Sequence, residues 1–130
     1  MAKKSLKEIY ALAVCFFAVG VVIVNGANGL YYMVRIISPG MTMVSYEYAK
    51  LVSDDAFLKA WPERVPLPDP ASIPRRRAQA LDEALLVERR DGQRALIESL
   101  AYVITGIIAF ITHWIIARRE QLRHADRSEE

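Results

Sequence analysis

Two long stretches without Asp, Glu, Lys or Arg, Ile9 to Val34 and Ser99 to Ala117, flank a polar middle. That distribution constrains the fold more than any motif does. Crossing ~30 Å of hydrocarbon at ~1.5 Å per residue takes ~20 mostly apolar residues in a helix. Both stretches approach or exceed that length once Leu96 and Ile97 extend the second. A soluble domain would spread its apolar residues through amphipathic elements instead. The average composition, 53% hydrophobic and 25% charged, hides this segregation.

The expected fold is an all-α membrane protein. It is a two-span transmembrane helical hairpin with a helical, proline-interrupted extramembrane loop. The divisions are a basic head (1–8), a first span (9–34), a loop (35–95), a second span (96–117) and a charged tail (118–130). An alternative for the first segment is a secretory signal. Lys3, Lys4 and Lys7 would form its basic region, and Gly26, Ala27 and Gly29 would offer small residues for cleavage. Leu30 to Val34 prolong the apolar run past such a site and favour an uncleaved anchor. Cys15 is the one cysteine of the 130 residues, so no internal disulfide forms.

Within the loop, Ser38-Pro39-Gly40 breaks the first helix. Residues 42–61 read as one or two amphipathic helices, with Val44, Tyr48, Leu51 and Leu58 near one face. Ser53-Asp54-Asp55 caps the second of them. These helices either form a small extramembrane core or lie in the membrane interface with Tyr48, Phe57 and Trp61 dipping in. Pro62, Pro66, Pro68, Pro70 and Pro74 make 62–74 an extended linker. Residues 75–94 return to helix, and Asp91-Gly92 is a possible kink before the second span. Arg75-Arg76-Arg77 reads as a solvated helix start.

Lysine and arginine near span ends favour the cytoplasm. The head carries three in eight residues, the tail four in thirteen and the loop ten in about sixty. This density puts both termini inside and the loop outside, in a cell membrane. Tyr31, Tyr32, Trp61 and Trp114 are the expected interface anchors.

In lipid, small and polar residues guide helix packing. Ala13, Gly20 and Ala27 recur every seven residues in the first span. Ala101, Thr105 and Ala109 recur every four in the second. These strips are candidate seams for the hairpin or for an oligomer. Asn25 lies ~24 Å along a helix from Ile9, and Tyr102 the same distance from Arg118. Asn25, Asn28, Glu98, Ser99 and Tyr102 therefore share one depth and are candidate intramembrane polar contacts. Glu98 reads as a boundary carboxylate that finds water or pairs with Arg94.

No pattern points to catalysis. Glycine-rich phosphate loops, zinc spacings and a nucleophile with an evident base are absent from the sequence. His113 has no partner ligand at metal spacing, so no cofactor and no metal are expected. A net charge of +2 gives no case for nucleic acid. The expected partners are the lipid bilayer and another membrane protein or a second copy. The expected role is a non-enzymatic accessory, assembly or scaffold subunit. Its rival is a small oligomeric channel with a polar mouth at Asn25, Asn28 and Glu98, though the midplane lacks a continuous polar stripe.

Several short segments resemble small bacterial two-span membrane proteins classed as domains of unknown function. They are Ile9-Tyr10-Ala11-Leu12, a charged helix entering Ser99-Leu100-Ala101, and Thr112-His113-Trp114 before Arg118-Arg119-Glu120. The resemblance is strongest over residues 96–120. It implies the two-span architecture and a bacterial membrane, and transfers no site residues.

Overall fold

The computed structural model describes residues 6–126, with side chains through 123. Lys3 and Lys4 of the basic head, the side chain of His124 and residues 127–130 of the tail lie outside that range. Among the described residues the chain is helical, without strands. The helices are α1 (Leu6–Ile37), α2 (Pro39–Thr42), α3 (Ser45–Val52), α4 (Asp54–Lys59) and α5 (Ile73–Asp126), with a 3-10 turn at Pro70–Ser72. Helices α1 and α5 each contain a segment long and apolar enough to cross a membrane.

Helix boundaries follow local chemistry. Helix α1 has Glu8 in its first turn and Arg35 in its last, signs that favour the backbone dipole. It stops at Ile37, and Pro39 opens α2 at a position where a missing N–H costs nothing. The Ser53 hydroxyl caps α4 by accepting from Ala56 N at 3.2 Å. Asp54 and Asp55 then occupy its first turn and Lys59 its last. Pro66 and Pro68 sit in non-helical chain. Pro70 opens the 3-10 turn and Pro74 falls in the first turn of α5, so helical structure resumes earlier than residue 75. Helix α5 then continues without interruption past Gly92.

The chain divides into two compact units. One joins residues 6–29 of α1 to residues 97–126 of α5. Those portions are ~36 and ~45 Å long by helical rise. Their contacts advance along α1 while retreating along α5: Glu8 with Gln121, Cys15 with Phe110, Asn25 with Ser99. The other unit is Leu30–Leu96. It holds the end of α1, the short helices and the first part of α5.

Candidate functional site

In the first unit the seam between α1 and α5 is built from small and polar residues. Glu8, Ala11, Cys15, Ala18 and Gly29 are buried on α1; Ser99, Gly106 and Ala117 are buried on α5. Gly106 sits so close to α1 that an added Cβ would lie 2.8 Å from Val22 Cγ2 and 3.3 Å from Ala18 O. Three polar contacts and one ring contact stitch the seam. Gln121 Nε2 donates to Glu8 Oε1 at 3.1 Å. The Cys15 thiol, a weak donor, points at Phe110 O at 3.7 Å. The Ser99 hydroxyl donates to Asn25 O at 2.5 Å. The Tyr10 and His113 rings meet edge-on, with centroids 6.0 Å apart. His113 Nδ1 lies 2.9 Å from Ala109 O, and a carbonyl only accepts, so this nitrogen carries the proton.

The strips expected from the sequence lie elsewhere. Ala13, Gly20 and Ala27 are exposed, and nothing stands within 4 Å of a Cβ built on Gly20. Ala101 and Thr105 are exposed and Ala109 is half-buried. Thr105 donates within its own helix, to Ala101 O at 2.9 Å. The intrachain seam on α1 uses Ala11 and Ala18, two residues before Ala13 and Gly20. Two residues are a rotation of about 200° on a helix, which is the opposite face. The hairpin half of the strip reading is corrected accordingly.

Of the five polar residues at matched depth, the structure joins Asn25 and Ser99, through the Asn25 main chain. The Asn25 amide donates to Val21 O at 2.9 Å. Asn28, Glu98 and Tyr102 are exposed. Among the aromatic anchors, Tyr31 and Trp114 are exposed and Tyr32 is half-buried. Trp114 stacks on Phe110 at 5.9 Å. Trp61 is half-buried and packs edge-on against Phe57 at 5.6 Å; its buried Nε1 has no acceptor among the described residues.

The second unit contains a polar clasp that the sequence did not announce. Arg35 Nε and Nη2 donate to the two oxygens of Glu88 at 2.6 and 2.8 Å. Thr42 Oγ1 donates to Glu88 Oε1 at 3.0 Å, and Asp91 stands 3.8 Å from Arg35 Nη2. The Arg35 guanidinium and the Thr42 hydroxyl hold the Glu88 carboxyl below the usual carboxylate range, against the opposing effect of burial. Gly92 lets α5 approach here, since a Cβ would lie 3.2 Å from Arg35 Cβ and Ile36 Cγ1. The sequence left α5 bent or straight at Gly92; the structure shows this glycine making room for a neighbour.

Arg77 forms a second tie. It donates to Asp54 Oδ1 at 2.6 Å and to Leu51 O at 3.1 Å, beside Val52 O at 3.4 Å. It thereby satisfies carbonyls left open at the end of α3. Of the arginine triplet, Arg75 and Arg76 are exposed, with Arg76 donating to the nearby Ser72 Oγ at 3.3 Å, whereas Arg77 is half-buried and reaches α3 and α4. No local signal marks Arg35–Glu88 or Arg77–Asp54, whose partners are 53 and 23 residues apart.

Among the described residues no three His, Cys, Asp or Glu side chains converge as a metal site. A groove of about 530 Å³ on the outside of α1 is lined by apolar residues and Asn25, with Phe16, Gly20 and Val24 among them. The arrangement offers contact surfaces and internal ties. Comparisons with protein families, with curated proteins and with solved structures give no match.

Proposed function

We propose that the chain is an integral membrane protein whose two apolar helices cross the bilayer as an antiparallel hairpin, and that it acts by contact as an accessory, assembly or scaffold subunit. One observation carries this reading. In the most apolar 18-residue windows of the two long helices, only 17% and 11% of the residues are buried. Phe16, Phe17, Ile23, Ile104 and Ile108 face outward, while Ser99, Cys15 and Gly106 line the seam. Water penalises that arrangement, since an exposed apolar face of such extent calls for a cover. Hydrocarbon favours it, because there small and polar residues hold helices together.

The head and tail are proposed to be cytoplasmic and the loop external, in a bacterial inner membrane. Lys7, Arg118 and Arg119 flank the spans and support that orientation. The proposed partners are another membrane protein or a second copy, met through the outer helix faces and the loop. Carbonate washing of native membranes, with tags at each terminus, tests the reading. The protein should stay in the pellet and both tags should be reached from one side only. Release into the wash, or tags reached from opposite sides, refutes it.

A further inference from the structure

We propose that membrane contact does not end with the first span: the elbow Ile36–Tyr46 lies in the lipid interface, and the Arg35–Glu88 clasp is what permits it. This inference rests on the membrane reading above and moves its boundary. By sequence, Arg35 closes the apolar run, because a cation at a span end normally seeks water. In the structure that cation is directed inward. Both oxygens of Glu88 take up its guanidinium, Asp91 stands beside it, and Thr42 of the elbow completes the carboxylate's shell.

With Arg35 neutralised, the chain presents no charge from Ile36 to Tyr46, eleven residues without Asp, Glu, Lys or Arg. The next two charges, Glu47 and Lys50, pair with each other at 2.9 Å. The elbow also carries exposed apolar side chains. Ile37 is 70% exposed, Met41 81% and Val44 68%. They follow Val34, itself exposed, without an intervening polar linker. Tyr46 adds an exposed ring with Lys50 over its face at 3.8 Å, an aromatic and cation pair suited to the headgroup zone. Pro39 turns the chain at the point where it would leave the hydrocarbon. An uncharged, outward-facing apolar segment continuous with a span fits one occupant best, the lipid interface itself.

The sequence left residues 42–61 two readings, a small extramembrane core or interface helices with Tyr48, Phe57 and Trp61 dipping in. Phe57 and Trp61 are half-buried against each other, whereas Tyr48 is exposed, as are Ile37, Met41 and Val44 of the elbow.

Depth-dependent quenching tests the proposal. Single cysteines at Met41→Cys, Val44→Cys, Phe16→Cys and Asp82→Cys, in a Cys15→Ala background, are labelled with an environment-sensitive fluorophore. The full chain is then reconstituted in phosphatidylcholine vesicles. Labels at 41 and 44 should be quenched by lipids carrying a nitroxide near the headgroup. Their iodide quenching should fall several-fold below that at 82. Iodide access at 41 and 44 equal to that at 82 overturns the elbow. So does protection from iodide without any nitroxide effect, which would mean a protein cover. The label at 16 separates the two readings. Quenching there by a deep nitroxide upholds the span whatever happens at 41, and its absence removes both span and elbow.

Discussion

Replacing Glu88 with glutamine should unfasten the end of α1 from α2 and α5. The carboxylate accepts two bonds from Arg35 and one from Thr42. The side chains of Arg35 and Glu88 are 24% and 15% exposed, so the pair is neither freely solvated nor fully sequestered. Exposed pairs contribute ~0–1 kcal/mol, and severing fully buried ones costs ~3–5. Charge-assisted hydrogen bonds contribute ~1.5–3 kcal/mol each, and Asp91 retains part of the attraction after substitution. The expected loss is about 1.5–3 kcal/mol, a rise of roughly 10- to 150-fold in the opening equilibrium of this region. Amide hydrogen exchange at Met43 and Tyr48, whose N–H groups bond Pro39 O and Val44 O, reads that opening locally. The pH dependence has a defined sign. Glu88 is held below its ordinary range, so its contribution is complete above the unfolded carboxylate pKa of about 4.3. It fades as pH falls through the lower folded value, and Glu88→Gln should flatten that slope. A loss below ~0.5 kcal/mol, a level typical of ordinary surface substitutions, would refute the clasp. So would an unchanged acid slope in the variant.

Four other outcomes follow from the packing. Gly92→Leu should destabilise by ~1–3 kcal/mol through overpacking against Arg35 and Ile36, measured by thermal unfolding in micelles. Gly40→Ala, whose Cβ would meet Leu85 and Tyr48 at an ordinary 3.7 and 3.9 Å, should be tolerated in the same assay. Gly106→Leu should open the seam and raise maleimide labelling of buried Cys15, whereas Gly20→Leu should leave that labelling unchanged. If Gly20→Leu nonetheless weakens self-association in bilayers, the outward strip of α1 is a contact between copies. Arg77→Ala should cost ~0.5–1.5 kcal/mol by removing the bonds to the carbonyls of Leu51 and Val52, read as faster exchange in α3.

Much of the helix layout was legible because its signals are local. Charge-free runs gave the two long apolar segments, Ser38-Pro39 gave the end of α1, and Ser53 gave the cap of α4. Face selection was not. Ala11, Ala18 and Asn25 repeat every seven residues just as Ala13, Gly20 and Ala27 do, so periodicity alone favours neither side. The choice depends on which strip meets Gly106 and Ser99, a property of two helices together. The clasp was hidden for a related reason. Arg35 looks like a stop signal and Glu88 like one charge among many on a polar helix. Only the return of α5 past α1, with glycine at 92, makes them partners.

Three of the long-range ties end on main-chain oxygen. Ser99 reaches the carbonyl of Asn25, Cys15 that of Phe110, and Arg77 those of Leu51 and Val52. Each such tie has a single genetic address. Positions 25, 110, 51 and 52 are free to drift in identity while still supplying their half of the bond. Positions 99, 15 and 77 hold the whole of the inherited instruction.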